Sequence, residues 1–191
     1  MSQPRTVAVV VGSLRKDSVS RKVAKALEAL TPGLQFEFLE IGGLSHFNQD
    51  DEAAPPAPWV DFRNQVKAAD AVLFVTPEYN RSVPGVLKNA LDVGSRPYGS
   101  SAWNGKPGAV VSVSPGAIGG FGANHHLRQS LVFLNVPVLS QEAYVGNAFA
   151  LFDDQGALVN EATTEFLRTY GKAFADWIEL ILGPAAERQA A

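Results

Sequence analysis

Apolar residues along the 191-residue chain fall into two alternating patterns. Short runs that are apolar on both faces predict buried parallel strands, and longer segments with apolar residues every three or four positions predict amphipathic helices. The predicted strands span residues 6–12, 35–41, 71–76, 108–114 and 137–145. The predicted helices span residues 18–30, 59–69, 83–93, 123–134 and 163–182.

Two segments need separate interpretation. Residues 42–58 contain acidic residues and three prolines without any periodicity, which predicts a surface loop inside the domain rather than a linker. The last helix carries a stripe of aromatic residues, including Tyr170 and Phe174, at helical spacing. We interpret this stripe as core packing and not as a stack of aromatic rings against a ligand.

The regular alternation of strands and helices predicts an α/β fold with a parallel sheet covered on both faces. Five strands favour the flavodoxin-like, doubly wound order 2-1-3-4-5. We expect one domain over residues 1–191, with its core at about 6–182 and a flexible tail at 183–191. In such sheets ligands bind at the carboxyl ends of the strands, where the strand order reverses. The loops at 13–20, 77–82 and 114–122 should therefore meet at one site.

The composition excludes several functions. The net charge of −3 provides no basic surplus for phosphate-backbone contacts, which argues against nucleic-acid binding. The chain has no cysteine, so thiolate chemistry, disulfides and iron–sulfur clusters are excluded, and any redox reaction needs a bound cofactor. No apolar run approaches the roughly twenty residues of a membrane span. We expect a cytoplasmic protein that does not contact a membrane.

The first loop, GSLRKDSVS, combines hydroxyl groups with a cation where a helix begins. The glycine patterns of dinucleotide-binding and P-loop proteins are absent after Gly12. The hydroxyls of Ser13, Ser18 and Ser20, together with Arg15, suit a terminal phosphate monoester at a helix N-terminus. The alternative is a polar helix start with Ser18 as its N-cap, and the two interpretations are about equally supported by this loop alone.

The other two loops are less specific. The segment PEYNRSVPG begins with Pro77 and places polar residues at the edge of the sheet, where they could line a planar heterocycle. The segment SPGAIGGFG has four glycines, which let a backbone approach a flat ligand closely. Taken alone, PEYNRSVPG is better explained as a capped turn that leads into a proline-started helix. SPGAIGGFG alone is also compatible with a plain turn between strand and helix. The prediction of a ligand site depends on their convergence with the first loop.

Four segments together resemble the NADPH-dependent FMN reductase family, and most of all its branch of bacterial quinone and chromate reductases. They are GSLRKDSVS, TPEYNRSVPGVLKNALD, SVSPGAIGG and HLRQSLVFLNV, in this order. The resemblance implies a flavodoxin-like fold, tightly bound FMN, and homodimers or homotetramers. It also implies oxidation of NADPH or NADH coupled to reduction of quinones, free flavins, azo compounds or chromate-like oxyanions.

The resemblance also assigns site residues. Those implied at the FMN phosphate are Ser13, Leu14, Arg15, Ser18, Val19 and Ser20. Those implied around the flavin ring are Pro77, Glu78, Tyr79, Asn80, Ser114 and Gly116. Two arginines are implied at the substrate: Arg81 at the mouth, and Arg96 by reaching across a dimer interface. The chain departs from many relatives at Ser20, where they have Asn, and at Arg81, where they often have an aromatic residue.

A flavin can transfer hydride by alignment alone, without a protein acid or base, so we assign no catalytic side chain. We also assign no metal site, because the neighbouring His125 and His126 point in different directions on a helix. Two functions stay open: a flavoenzyme, and a flavodoxin-type carrier of single electrons. Carriers usually shield the ring and have an acidic docking face, so the charge of only −3 favours the enzyme.

Overall fold

The structure is a computed structural model that describes residues 4–183. Strands and helices alternate along this part of the chain, as the hydrophobic pattern predicts. The strands are β1 (Arg5–Val11), β2 (Leu34–Leu39), β3 (Ala71–Pro77), β4 (Gly108–Val113) and β5 (Ala143–Val145). The helices are α1 (Val19–Leu30), α2 (Ala57–Ala68), α3 (Gly85–Gly94), α4 (Phe121–Phe133) and α5 (Glu161–Leu182).

All five strands run parallel in the order β2-β1-β3-β4-β5, which confirms the predicted topology. The chain moves outward from β1 to β2 and then returns to place β3 on the other side of β1. The connections that leave β1 and β3 therefore go to opposite faces of the sheet and open a crevice between them.

The two faces of the sheet pack against separate hydrophobic clusters. Alternate residues of β1 point to opposite faces, so Val7 and Val9 contact one cluster while Ala8 and Val10 contact the other. The first cluster is completed by α1 and α5, and the second by α2, α3 and α4. Tyr170 and Phe174 are fully buried in the first cluster, so the aromatic stripe of the last helix is core, as predicted.

The predicted strand at residues 137–145 is interrupted. Val138 forms a single bridge with Gly108, and regular pairing resumes only at β5. Between these points the free edge of β4 is completed by Tyr170 of α5. Its hydroxyl donates to the carbonyl of Val110 at 3.0 Å and accepts from the amide of Val110 at 3.1 Å. A helix side chain thus replaces the missing strand, which the pattern of residues 137–145 does not reveal.

Residues 42–58 are more ordered than predicted. They contain a 3-10 helix, Gln49–Ala53, and α2 begins at Ala57 rather than at Trp59. The buried Asn89 of α3 holds the segment, because its side chain accepts from the amide of Phe47 and donates to the carbonyl of Ser45. The predicted tail lies outside the described residues apart from Gly183. No helix within residues 4–183 is long and apolar enough to cross a membrane.

Candidate functional site

A cleft of about 270 Å³ lies at the carboxyl ends of β1, β3 and β4. It joins the three loops that the topology was expected to bring together. Its lining residues are Ser13, Arg15, Val19, Ser20, Pro77, Glu78, Tyr79, Val113, Ser114, Pro115, Ala148 and Phe149. A second cleft of about 410 Å³ shares Arg15 and Tyr79 with the first and is also lined by Gly12, Leu14, Pro84, Gly85 and Val86.

The first loop ends at the N-terminus of α1. Ser18 is the N-cap of this helix, and its Oγ accepts from the amide of Arg21 at 3.2 Å. The Oγ of Ser13 accepts from the amide of Arg15 at 3.4 Å. Both hydroxyls are used here as acceptors, so each can still donate its own proton to a ligand. The two interpretations of this loop are therefore compatible.

Ser20 and Arg15 line the cleft, and neither side chain has a hydrogen-bond partner within residues 4–183. Ser20 is only 3% exposed and lines the cleft, yet its hydroxyl has no hydrogen bond with any residue in 4–183. The guanidinium of Arg15 is exposed, and it has no carboxylate partner in the described part of the chain. The Ser20 hydroxyl and the Arg15 guanidinium are thus available to bond to a ligand in the cleft. Together with the positive end of α1, these groups favour a bound anion.

The second loop forms a tight hairpin turn after β3. Tyr79 and Ser82 exchange backbone hydrogen bonds of 2.9 and 3.0 Å. The two residues between them have positive φ angles, 52° for Asn80 and 63° for Arg81, which define a type I′ turn. The turn reverses the chain directly at the cleft and leaves Tyr79 half exposed on its wall.

Glu78 fixes this turn to α4. One carboxylate oxygen accepts from the amide of Ala123 at 3.1 Å, at the positive end of α4, and the other accepts from Nη1 of Arg81 at 3.2 Å. Gly122 makes the approach possible, since a Cβ there would lie 2.8 Å from the carbonyl oxygen of Arg81. Glu78 thus lines the cleft and positions the turn, a second role that the sequence did not indicate.

Three of the four glycines of the third loop lie close to other parts of the protein: Gly119 to β5, Gly120 to β4 and Gly122 to the turn at Arg81. Gly119 and Gly120 have positive φ angles, and a Cβ on Gly119 would lie 2.8 Å from the Cβ of Tyr144. A Cβ on Gly116 would contact only Oγ of Ser114, at 3.6 Å. Gly116 thus lies at an open edge of the loop beside Ser114, whereas the other three glycines have a structural reason within the protein.

Most of the predicted cofactor residues meet in the cleft. Of the other four, Leu14 lines the second cleft, Ser18 is the buried N-cap of α1, and Asn80 and Gly116 belong to the second and third loops without lining the first cleft. The sequence analysis missed four lining residues: Val113, Pro115, Ala148 and Phe149. Phe149 is exposed and belongs to the 3-10 helix Ala148–Ala150, which follows β5 after two residues. The predicted topology puts the end of β5 at the same edge, so this position was open to prediction.

The two predicted substrate arginines lie in different places. Arg81 is beside the cleft, whereas Arg96 follows the C-terminus of α3, whose N-terminus borders the second cleft. The ten residues of α3 span about 15 Å. Arg96 forms an ion pair with Glu52, and the hydrogen bond between them raises the pKa of Arg96 and lowers that of Glu52. Arg96 is not among the residues that line either cleft.

The fold and the cleft define a flavodoxin-like α/β protein whose cleft combines serine hydroxyls and an arginine with apolar lining residues. Comparison with known proteins narrows this class. The sequence pattern of the NADPH-dependent FMN reductase family matches residues 5–150. The chain belongs to this family. It is an oxidoreductase whose flavin is FMN and whose electron donor is a reduced nicotinamide.

Individual relatives agree with this assignment. The chain is 62% identical to a quinone reductase of Pseudomonas putida, over 94% of this chain and 98% of the relative. It is 45% identical to a 2-hydroxy-1,4-benzoquinone reductase of a Burkholderia species, over 90% and 95% of the two chains. Its fold is similar to that of the flavoenzyme NAD(P)H:(acceptor) oxidoreductase FerB from Paracoccus denitrificans, with a TM-score of 0.87, 44% identity and coverage of 92% and 97%.

The residues of the cleft fit FMN. The unpartnered Ser20 hydroxyl, the free Arg15 and the start of α1 suit the phosphate at one end. The other lining residues include Pro77, Tyr79 and Val113, which suit a flat and largely apolar ring. Among residues 4–183, no three His, Asp or Glu side chains are grouped so that they could hold a metal ion.

Proposed function

We propose that the protein binds FMN in this cleft and uses NADPH or NADH to reduce quinones by two electrons. The observation that carries the proposal is the Ser20 hydroxyl at the wall of the cleft, which has no hydrogen-bond partner within residues 4–183, together with an Arg15 side chain that has no ion-pair partner there. The acceptor class is supported by the names of two relatives, a quinone reductase and a 2-hydroxy-1,4-benzoquinone reductase.

The proposal assigns the phosphate and the ring to different parts of the cleft. The hydroxyls of Ser13, Ser18 and Ser20, the guanidinium of Arg15 and the backbone at Leu14 and Val19 hold the phosphate. Segment 77–80 lines one edge of the ring, and Ser114 and Gly116 line the other. Glu78 acts here as a positioning residue, because its bonds to Ala123 and Arg81 hold the turn in place.

The net reaction converts a reduced nicotinamide, a quinone and one proton into the oxidised nicotinamide and a hydroquinone. Bound FMN supplies hydride transfer in both directions. The residues of the cleft orient the nicotinamide and the quinone. Solvent delivers the proton at the open side of the cleft, where Tyr79 and Phe149 are exposed. One open face admits the nicotinamide and the acceptor in turn, so we propose ping-pong kinetics.

Three further features belong to the proposal. The reaction takes place in the cytoplasm, which a cysteine-free chain permits. The protein associates with itself as a dimer or tetramer, with Arg96 of one copy directed to the substrate of another. Free flavins, azo compounds and chromate-like oxyanions can also accept two electrons at an open ring, and they serve as comparison substrates.

The proposal is tested with the purified protein and its flavin. We expect one FMN per chain, weaker binding of FAD, bleaching of the flavin by NADPH and multiple turnovers with quinones. Arg15→Ala should weaken FMN binding by about 1.5–3 kcal/mol, the contribution of a charge-assisted hydrogen bond. Lys67→Ala, at the opposite end of the sheet, is the matched control.

Two results would contradict the proposal. Equal affinities for FMN and FAD, or unchanged FMN affinity in Arg15→Ala, would place the phosphate elsewhere. Flavin reduction in two separate one-electron steps, with poor turnover of quinones, would instead support the electron carrier.

A further inference from the structure

Arg81 is an unusual residue for its place at the cleft. It occupies the second central position of the type I′ turn with a φ of 63°, where glycine is favoured and L side chains are rare. Its side chain is 75% exposed, and its Nη1 lies 3.2 Å from the Glu78 carboxylate, which lines the cleft. The turn thus holds a guanidinium at the mouth of the cleft in spite of backbone strain.

The ion pair with Glu78 does not use up the charge or the donors of Arg81. A guanidinium has five N–H donors, and among residues 4–183 only Glu78 accepts from this one. The Glu78 carboxylate is also bonded to the amide of Ala123, where the positive end of α4 compensates part of its charge. Among the described residues, Glu78 is the one acidic residue that lines the cleft. Because Arg15 is assigned to the FMN phosphate, Arg81 is the cation that remains for an acceptor at this turn, in a chain whose net charge is −3.

We propose that Arg81 selects electron acceptors that carry a negative charge, and that quinones with an ionised hydroxyl on the ring are the preferred class. This inference rests on the proposed function. The hydroxyl of a 2-hydroxyquinone is a vinylogous carboxylic acid and is ionised at neutral pH. Arg81 follows the segment proposed to line the flavin ring, so its charge acts close to the reacting part of an acceptor.

The chemistry of reduction gives this charge a further role. The 2-hydroxyquinone anion takes one hydride and two protons from water and becomes a neutral trihydroxy-arene. The product lacks the conjugated carbonyl that acidified the hydroxyl, so this group is an ordinary phenol and stays protonated at neutral pH. Arg81 therefore attracts the substrate but not the product, which favours release after each turnover.

The test compares two acceptors that differ in charge and little in shape, 2-hydroxy-1,4-naphthoquinone and its methyl ether. The readout is the ratio of their kcat/KM values, since this ratio cancels effects common to both. Arg81→Gln should lower the ratio about threefold to tenfold, as expected for one exposed charge pair. Arg81→Lys should keep most of it, and added salt should lower it in the unaltered enzyme only.

The control variant is Lys67→Gln, which makes the same change in net charge at the exposed C-terminal end of α2. It should leave the ratio unchanged. A second readout needs no turnover: titration of the oxidised holoenzyme with the 2-hydroxyquinone anion, followed by flavin absorbance, should give a weaker dissociation constant in Arg81→Gln.

Each contrary result has a distinct meaning. Equal loss with both acceptors in Arg81→Gln overturns the inference and makes Arg81 a structural residue of the turn. A loss of kcat/KM for NADPH alone, with the value for NADH unchanged, also overturns the inference. It would assign Arg81 to the 2′-phosphate of the electron donor. If the unaltered FMN-loaded protein reduces neither quinone, the proposed function itself fails.

Discussion

Single side chains complete hydrogen-bonding patterns that the main chain leaves open. Tyr170 bonds both backbone groups of Val110, at the point where β4 has no neighbouring strand. Both residues are fully buried, so water cannot replace this hydroxyl without a cavity.

We expect Tyr170→Phe to destabilise the protein by about 1–3 kcal/mol for each backbone group of Val110 left without a partner. Urea unfolding at pH 7 measures the change. Tyr98→Phe serves as the control. Tyr98 is 90% exposed, so the loss of its hydroxyl leaves no buried group without a partner. Equal stability of Tyr170→Phe and the unaltered protein would show that β4 can satisfy its edge in another way.

The buried hydroxyl of Tyr170 also makes the stability of the protein depend on pH in the alkaline range. Burial raises the pKa of its hydroxyl from 10.0 to about 12. Between these values the unfolded chain loses the proton and the folded chain keeps it, so stability falls as pH rises through this range. The difference in the free energy of unfolding between the unaltered protein and Tyr170→Phe should therefore become smaller by up to about 2–3 kcal/mol between pH 10 and 12. A constant difference across this range would contradict the assigned pKa.

The packing of one helix against another depends on close contacts that helix propensity alone does not predict. Gly171 lies inside α5, where alanine would favour the helix by about 1 kcal/mol. A Cβ at this position would, however, overlap Oγ1 of Thr31 at the end of α1 and lie 3.3 Å from a methyl group of Leu27. Gly171 thus allows α1 and α5 to approach each other.

We expect Gly171→Ala to destabilise the protein by about 1–3 kcal/mol, since overpacking outweighs helix propensity. A double-mutant cycle with Thr31→Ala identifies the cause, because that substitution removes the overlapping oxygen. Gly171→Ala should cost less in the Thr31→Ala background, as measured by urea unfolding. Strict additivity of the two changes would mean that the overlap does not determine the effect.

The elements differ in how far their sequence predicts them. The buried strands β1, β3 and β4 are continuous apolar runs, and their position between covering helices follows from this pattern. β5 is only three residues long because Tyr170 takes over part of its pairing. Such a contact joins residues 60 positions apart, and no local pattern records it.

At the scale of the whole molecule, topology accounts for most of the site. The order of the strands predicts that three loops meet, and eight of the twelve predicted cofactor residues line the resulting cleft. The anchoring of Glu78 to α4 could not be predicted, because it depends on how closely Gly122 lets two loops approach. The ion pair between Arg96 and Glu52 is likewise a tertiary contact, which the sequence pattern does not predict.

The surface of the molecule also bears on the proposed self-association. Val132 and Phe133 at the end of α4 are 70% and 89% exposed. Phe133 borders a groove of about 430 Å³ between α3 and α4, which Leu91 and Leu134 also line. A second copy that covers this groove would bury apolar groups now in contact with water.

Phe133→Asp should therefore shift the protein from an oligomer to a monomer of 20.4 kDa. Burial of one Phe contributes about 1.5–3 kcal/mol, and a two-fold symmetric interface counts it twice. Sedimentation equilibrium measures the mass. Leu180→Asp is the matched control, because Leu180 is 73% exposed on α5, which covers the other face of the sheet. Association through this groove is contradicted if Phe133→Asp sediments as the unaltered protein does, or if Leu180→Asp dissociates the oligomer equally.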